Sequence, residues 1–533
     1  MEVAPAEKRR DHGRKGFPLL PALAGLAAVA AVLPLGGIVV AALSGEGADI
    51  APRDVWRYAF ASAGLTLLVG AITAVLGTAA AWLVVMYRFP GQRFFSWALA
   101  LPLAAPAFAL AYAYADLFDV AGPLRIWSRA SLGFDLPLEM RSFPGAAFIL
   151  SCAFYPYVFL AMRAAFLGQA TSMLEAARVL GSTTAQALLR VALPLARPAL
   201  AAGVALAMME TLADYGALQF LSVQTLTTGV IRAWSVYGST AGAAQFALPL
   251  LGAAGLLLWL ERRGRADRRF VSTASRWRTQ PTAELHGPKA TLAFAFCLIL
   301  LVAGLLLPVG WLAWKSLGVS PEWPRLMQAG ANTLALGIAS ALATVTLATA
   351  LALGAQRMPL AARLASLGYA TPGAAMAIGL AASASIVWSL FPAAASTFWA
   401  GVILLIYAYA ARLMAAALEP VDAGLATVSP SIVWASRSLG RGDAATAWAV
   451  QLPIARGALF TAGLVVFIDV LKELPATLIL RPFNFDTLAV LASNYALDER
   501  LPQAGWPSLL ILAISVPAVI WLSGKVAASR PGH

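Results

Sequence analysis

Two pairs of acidic residues suggest ion chemistry, because each pair lies inside a strongly apolar stretch. Glu210 and Asp214 form the first pair, and Asp469 and Glu473 form the second, with Lys472 beside Glu473. A spacing of four residues brings both carboxylates of a pair to one face of a helix. Ionisable groups at membrane depth are costly, and they usually face a cavity, an ion pathway or one another. Four carboxylates against one lysine favour a cation, and carboxylate oxygens suit hard metal ions.

A structural role for these five residues is the alternative interpretation. Lys472 could neutralise Asp469 or Glu473 locally, while Glu210 and Asp214 could lie near the membrane surface. The second pair follows the first at an offset of 259 residues for both members (469 − 210 and 473 − 214). Because the pair recurs, the sequence favours a translocation pathway over the structural role.

Other kinds of reactive site find little support in the sequence. The apolar stretches exclude all three histidines (His12, His286 and His533) and include both cysteines (Cys152 and Cys297). No disulfide framework or Cys-based metal site is therefore expected, and a membrane enzyme would lack its His or Cys constellation. The sequence contains no Gly-x-x-x-x-Gly-Lys-Ser/Thr motif, so we expect the chain to bind no ATP and no cofactor of its own. The sequence does not indicate which residues would bind a metal ion.

The elements that would position the acidic pairs are membrane helices. The chain has 533 residues, of which 60% are hydrophobic and 12% charged, and its mean hydropathy is +0.77. Apolar stretches of about 20 residues are long enough to cross the hydrocarbon as helices. We predict twelve spans, at about 17–43, 58–86, 94–115, 144–167, 198–220, 243–260, 290–314, 331–356, 364–388, 396–418, 457–480 and 506–527. The first is too long for the apolar core of a secretory signal, so we expect it to be an uncleaved span.

The basic residues predict the orientation of these spans. Arg88 and Arg93, the loop 174–194 and the arginine-rich stretch 262–278 fall on the same side as the basic N-terminal segment, if every span crosses once. The positive-inside rule makes that side cytoplasmic. We therefore expect both termini in the cytoplasm.

Matched landmarks indicate two halves in the same orientation. Leu180-Gly181 and Leu439-Gly440 each stand the same distance before a Leu-Pro pair, Leu193-Pro194 and Leu452-Pro453 (194 − 181 = 453 − 440). Two further pairs recur in the same order, namely Arg88-Phe89-Pro90 with Arg357-Met358-Pro359, and Pro106 with Pro372. Such recurrence is typical of a parallel six-helix repeat. We predict a first half at 1–261, a basic cytoplasmic linker at 262–289 and a second half at 290–533, with matching loops at 172–197 and 431–456.

Local rules predict a helix-turn-helix for the first of these loops. Ser172 and Glu175 have capping-box spacing, so a short helix should run to about Leu180. Gly181 permits the left-handed turn that ends it. A second short helix over about 183–191 should follow, before Pro194 and Pro198 close the loop. A docking element for a partner and a helix lying on the lipid headgroups both remain open on these grounds.

The same loop resembles a known sequence signature. Glu175-Ala176-Ala177, followed by Gly181 and then Leu193-Pro194, resembles the EAA motif of permease subunits of binding-protein-dependent ABC importers. The resemblance implies the type I permease fold, two permease halves fused in one chain, and a loop that couples to an ATPase subunit. It also implies two copies of that cytoplasmic ATPase, which bind ATP and Mg, a periplasmic substrate-binding protein, and a bacterial inner membrane. The second copy has Trp434-Ala435-Ser436 in place of Glu-Ala-Ala but keeps Leu439, Gly440, Leu452 and Pro453.

A second resemblance bears on the cargo. The stretch 469–490, DVLKELPATLILRPFNFDTLAV, is similar to the second-half signature of fused ferric-iron permeases, and 210–216 is similar to the matching first-half element. The resemblance implies a transport permease for iron(III), not an enzyme. Related permeases carry thiamine, polyamines or phosphonates. A twelve-span ion-coupled secondary transporter is the alternative from another class, although it leaves the paired loops unexplained.

Overall fold

The computed structural model describes residues 19–44, 50–135, 137–168, 184–266, 283–354, 368, 371–392 and 397–528. The described chain is almost entirely helical. Its first half contains α1 (Leu19–Leu43), α2 (Pro52–Met86), α3 (Gln92–Ala98), a 3-10 turn (Leu101–Ala104), α4 (Ala107–Leu117), α5 (Pro123–Ser131), α6 (Phe143–Gly168), α7 (Leu193–Ala213), α8 (Gly216–Phe220), α9 (Leu226–Ser235) and α10 (Thr240–Ala266).

The second half repeats much of this order. It contains α11 (Pro288–Leu301), α12 (Leu307–Leu317), α13 (Trp323–Gly354), α14 (Gly373–Leu390), α15 (Phe398–Ala426), α16 (Pro430–Ser438), α17 (Leu452–Leu471), α18 (Pro475–Leu480), α19 (Leu488–Leu497) and α20 (Leu501–Ala528). The short helices α8 and α9 after α7 thus have counterparts in α18 and α19 after α17.

The predicted class, an all-α polytopic membrane protein, is confirmed, and the count of twelve spans is approximate. Within the described residues, ten helices are long and apolar enough to cross a membrane. The helical pair Gln92–Ala104 and Ala107–Leu117 would make an eleventh, but it is bent by 91°. Pro106 lies at this break with an extended backbone (ψ 138°), as the proline in the predicted third span indicated. The predicted first span is helical as α1. Its apolar part Ala27–Leu43 is shorter than the ten spans and is not counted among them.

Hydroxyl side chains inside the long helices bond to their own backbone. Thr73 Oγ1 donates to the carbonyl of Val69 at 2.8 Å, and Thr344 Oγ1 donates to that of Ser340 at 2.6 Å. A bond to the carbonyl one turn earlier satisfies the hydroxyl without any partner from lipid. Polar residues can therefore stand in these apolar spans without ending them.

The predicted fifth and eleventh spans were too long. They were placed at about 198–220 and 457–480, whereas α7 ends at Ala213 and α17 at Leu471. The chain then breaks and starts again in the short helices α8 and α18. Hydropathy missed both breaks because the residues on either side are equally apolar.

The prolines of the two matched loops do not close them, which corrects another prediction. Pro194 and Pro453 each occupy the second position of a long helix, α7 and α17. A π-helical turn leads into each helix, at Leu188–Ala192 and Ala447–Gln451. Proline has no N–H, and its ring clashes with the carbonyl four residues earlier in a regular helix. The wider π turn removes that conflict, so the helix runs on from the loop into the span.

The two halves interlock through their first helices. α1 packs against α13 and α14 of the second half. It also contacts α15, whose Tyr407 hydroxyl donates to the carbonyl of Ala30 at 2.6 Å. α12 packs in turn against α4 of the first half, and the Tyr114 hydroxyl donates to the carbonyl of Ala303 at 2.7 Å. Each half is therefore completed by a helix of the other.

A short parallel pairing ties the end of the linker to the first half. Strand β1 (Tyr87–Arg88) follows α2 and pairs with β2 (Ala283–Glu284). The amide of Leu285 also donates to the carbonyl of Arg88 at 2.9 Å. The predicted linker at 262–289 begins within α10, which continues to Ala266. Residues 267–282, and the second member of the matched pair at Arg357-Met358-Pro359, lie outside the described residues.

Candidate functional site

A cavity of about 660 Å³ lies between the two halves. Its walls come from α6 and α7 of the first half and from α15, α17 and α20 of the second, with a contribution from α4. All five acidic or basic residues singled out in the sequence line it, namely Glu210, Asp214, Asp469, Lys472 and Glu473. Two side chains that sequence reasoning missed, Arg412 and Glu419, line it as well.

Glu473 is the most tightly held of these residues, with only 5% of its surface exposed. Its Oε1 accepts from Arg412 Nη1 at 3.3 Å and from the amide of Ala476 at 3.1 Å. Its Oε2 accepts from the amide of Thr477 and from the Tyr409 hydroxyl, both at 3.2 Å. Glu473 therefore caps the start of α18 and pairs with a cation from α15.

Asp214 plays the corresponding part in the first half. Its Oδ1 accepts from the amides of Ala217 and Leu218 at 3.1 and 3.2 Å. These amides belong to the first turn of α8, whose N–H groups have no partner within the helix. The capping carboxylate thus explains why the chain breaks at the same place in both halves. Capping is a structural role that the sequence analysis did not foresee for either residue.

Lys472 forms an ion pair with Asp469, one turn earlier on α17, at 3.1 Å. This local neutralisation was part of the structural alternative. Glu473 is paired with Arg412 instead, which the sequence analysis did not foresee. Arg412 lies inside the predicted tenth span, and a charged residue within an apolar stretch is itself a signal of a buried partner.

Glu210 differs from the other cavity carboxylates in its contacts. Its side chain is half-buried, and the described residues offer it no hydrogen-bond partner. The charges that act on it come from across the cavity, from Lys472, Asp469, Arg412 and Glu473 of the second half. Glu210 is therefore held by fewer contacts than Asp214 or Glu473.

The cavity carries an excess of acidic groups. Glu210, Asp214, Glu419, Asp469 and Glu473 contribute carboxylates, whereas Arg412 and Lys472 contribute the cations. Among the described residues, no group of three or more His, Cys, Asp or Glu side chains could hold a metal ion.

At one end of the cavity, α8 packs closely against its neighbours. Gly216 of α8 lies against Leu474 and Phe108, so that a Cβ atom at this glycine would be 2.9 Å from Leu474 Cδ2 and 3.0 Å from Phe108 Cβ. From this end the lining extends to Glu419 and Leu522, near the opposite ends of their helices. By the predicted orientation, these opposite ends are cytoplasmic.

The second matched loop forms the helix-turn-helix that was predicted for the first. α16 ends at Ser438, and Gly440 turns the chain with φ 84°, in the left-handed region. The turn is fastened by Ser436 Oγ and Thr446 Oγ1 at 3.0 Å and by an Arg437–Asp443 ion pair at 3.1 Å. Three large apolar side chains point outward, Trp434, Leu439 and Trp448, which are 65%, 83% and 78% exposed.

The first matched loop lies largely outside the described residues. Glu175, Ala176, Ala177 and Gly181 are not described, so their predicted part in coupling stays a prediction. Leu193 and Pro194 are described, and they begin α7.

Comparison with known proteins gives a family match within the first half of the chain. Residues 73–265 match the family described as "Binding-protein-dependent transport system inner membrane component". These residues form a permease domain of that family. The permease is also 25% identical over 471 residues, 86% of this chain and 87% of the relative, to the Fe(3+)-transport system permease protein FbpB 2 of Haemophilus influenzae. The predicted resemblance, and with it the type I fold, is confirmed.

Shorter matches connect the permease to other transport systems. It is 32% identical over 148 residues to the sulfate transport system permease protein CysT of Escherichia coli, which covers 28% of this chain and 52% of the relative. It is 29% identical over 171 residues to the putative 2-aminoethylphosphonate transport system permease protein PhnU of Salmonella choleraesuis, which covers 32% of this chain and 57% of the relative. The matched family and the many apolar helices indicate a multi-pass inner-membrane protein.

Proposed function

We propose that this permease is the membrane component of an ATP-driven importer that carries iron(III) from a periplasmic binding protein to the cytoplasm. The acidic cavity between the halves is the observation that carries the proposal. Iron(III) is a hard cation that prefers oxygen ligands, and carboxylates outnumber cationic side chains in the lining. The resemblance to a ferric-iron permease over 86% of the chain supports the same cargo.

ATP hydrolysis belongs, in this proposal, to a separate subunit. The sequence has no phosphate-binding loop of the Gly-x-x-x-x-Gly-Lys-Ser/Thr type. The exposed Trp434, Leu439 and Trp448 on the second loop form an apolar patch of the kind that docks on another protein. Two loops fit two ATPase copies, with ATP and Mg bound there and both chain termini on the same cytoplasmic side.

The similarity to sulfate and phosphonate permeases makes these anions the competing cargoes. Sulfate or a phosphonate would face Glu210 and the other carboxylates of the lining with only Arg412 and Lys472 to offset them, and both cations already hold a carboxylate. Thiamine and polyamines are cations and remain alternatives within the same transporter class. The lining therefore favours a cation, and the long ferric-iron match favours iron among cations.

Reconstituted transport tests the proposal. The permease is purified with its ATPase, placed in proteoliposomes, and supplied from outside with binding protein loaded with iron(III), sulfate or 2-aminoethylphosphonate. We expect the iron-loaded protein to stimulate ATP hydrolysis and to drive radioactive iron into the vesicles. Stimulation by the sulfate-loaded or phosphonate-loaded protein alone would refute the assignment of iron.

The same vesicles distinguish an importer from an ion-coupled carrier. Omission of ATP, or of the ATPase subunit, should abolish uptake even when a proton or sodium gradient is imposed. Uptake by the permease alone under such a gradient would show that the chain is a secondary transporter. The cargo and the energy source are thus tested by separate measurements.

A further inference from the structure

The loop between α4 and α6 contains an amphipathic helix with an uncovered apolar face. Pro123, Ile126, Trp127 and Ala130 of α5 recur at the spacing that places residues on one side of a helix. All four are exposed, and the exposed fractions of Ile126 and Trp127 are 53% and 55%. A helix that shows its apolar side to the outside is expected to have a partner there.

The other side of α5 is occupied by contacts within the loop. Arg125 Nε donates to Asp135 Oδ1 at 2.9 Å, and Arg129 Nε donates to the carbonyl of Arg125 at 3.2 Å. Arg129 also donates to the carbonyl of Val120. Ser128 is buried and donates to the carbonyl of Arg125 at 3.0 Å. The bonds from Arg125 to Asp135 and from Arg129 to Val120 tie this side of α5 to the rest of the loop, so that its apolar side faces away from the loop.

The apolar surface continues beyond the helix itself. Val120 precedes α5, while Leu132, Phe134 and Leu138 follow it, and each is between 44% and 60% exposed. Within the part of the chain that the structure describes, no element covers this surface.

Exposed tryptophans mark the membrane boundary on the same side of the molecule. α4 ends and α6 begins on the side where α2 begins. Trp56 lies at the start of α2, Trp314 near the end of α12, Trp323 at the start of α13 and Trp399 at the start of α15, with exposed fractions of 63%, 65%, 55% and 68%. Tryptophan is enriched at the level of the lipid headgroups. Trp127 lies between two span ends on this side and continues the belt.

We propose that α5 lies flat in the headgroup region of the bilayer, with Ile126 and Trp127 inserted among the lipids on the side opposite the two matched loops. A helix of nine residues is about 13 Å long, short enough to lie between two neighbouring span ends. Burial of the apolar face is the driving force for such interfacial helices. The loop between α4 and α6 is then held against the membrane and does not extend into the aqueous phase.

The test measures whether lipid, water or the binding protein contacts the apolar face of α5. Nitroxide labels are attached to the full-length permease as Ile126→Cys or Trp127→Cys, after Cys152 and Cys297 have been replaced by alanine. The protein is placed in nanodiscs of phosphatidylethanolamine and phosphatidylglycerol, and collisions with oxygen and with a water-soluble nickel chelate are compared. Glu139→Cys serves as the matched control, because this exposed polar residue belongs to the same loop.

Labels at 126 and 127 should collide more with oxygen than with the nickel chelate, and the label at 139 should show the reverse. Addition of the purified binding protein should leave the ratio at 126 and 127 unchanged. Dominant nickel collisions at 126 and 127 would refute lipid insertion. A nickel signal that falls only when binding protein is added would assign the face to that protein instead.

Discussion

At the scale of single residues, the four carboxylates of the two repeated pairs divide into two kinds. Asp214 and Glu473 cap short helices, and Glu473 also neutralises Arg412. Glu210 and Asp469 stand one turn earlier on their helices and cap nothing. Substitutions at the capping positions should therefore lower the stability of the fold. Substitutions at the positions that cap nothing should instead impair transport.

Glu210→Gln should reduce transport without reducing stability. The side chain has no hydrogen bond to lose within the described residues, but the cavity loses a carboxylate that faces the charges of the opposite half. We expect slower iron uptake in proteoliposomes and an unchanged melting temperature. Glu139→Gln, which removes a charge from the exposed outer loop, is the matched control. Normal uptake by the Glu210 variant would leave this residue without a part in the pathway.

Glu473→Gln should instead destabilise the fold. Loss of one partner from a buried ion pair leaves the other charge uncompensated, which costs about 3–5 kcal/mol in typical cases. Replacement of both partners by uncharged groups costs far less. The double variant Glu473→Gln with Arg412→Met should therefore melt at a higher temperature than Glu473→Gln alone. Equal melting temperatures of the single and double variants would show that Glu473 and Arg412 are only weakly coupled in stability.

At the scale of elements, the loops depend on backbone conformations that few residues adopt. Gly440 has φ 84°, whereas Gly442 in the same loop has φ −69° and ψ 171°, an extended backbone open to any residue. A β-branched residue in the left-handed region costs about 1–2 kcal/mol. This contrast between two glycines of one loop allows a controlled experiment.

Gly440→Val should weaken attachment of the ATPase, while Gly442→Val should not. The first substitution disturbs the turn that presents Leu439 and Trp434, and the second leaves the turn intact. The amount of ATPase that copurifies with the permease measures the effect. Equal recovery with both variants would argue against docking through this loop. Gly181→Val, at the matching position of the first loop, is predicted to act as Gly440→Val does.

The ion pair that fixes α5 responds to acid in a definite direction. The Arg125 guanidinium lowers the pKa of Asp135, and Arg129 adds to the effect. The stabilisation of the loop by this ion pair is fully present above the ordinary pKa of aspartate. It is lost as the pH falls through the lowered pKa of Asp135. A spin label on Trp127→Cys should therefore become more mobile only in strongly acidic buffer. In Asp135→Asn the mobility should be high at every pH.

The lengths of the apolar runs determine which elements could be predicted from the sequence. The spans were recognised because about 20 apolar residues in a row have few other uses. The short helices α8 and α18 were missed because their apolar sequences merge with the predicted fifth and eleventh spans. The helices α9 and α19 were missed because each has only ten residues, too few for a membrane span. The caps of α8 and α18, Asp214 and Glu473, were noticed in the sequence, but as candidate pathway residues.

At the scale of the whole molecule, the halves hold together without the linker. α1 packs on the second half and α12 on the first, and Asp116 of α4 accepts from Trp311 Nε1 of α12 at 2.7 Å. The Lys315 ammonium lies 3.0 Å from the same carboxylate. A chain cut between residues 267 and 282 should therefore remain assembled.

A protease site inserted in this stretch provides the measurement. After cleavage in mild detergent, an affinity tag on one half should retain the other half, and iron uptake should persist after reconstitution. A variant that also lacks α1 should release more of the untagged half. Separation of the halves after cleavage alone would show that the linker is required.

The exchange of first helices also imposes an order on biosynthesis. Ala30 is bonded to a residue 377 positions later in the chain. At a synthesis rate of about 5–20 residues per second, that partner emerges roughly 20–75 seconds after α1 has been made. During this interval the small residues of α1 that will meet the second half, Ala31 and Gly37 among them, lack those partners. α1 can pack against α10 of the first half earlier, so it acquires its contacts in two stages, of which the second waits for the second half.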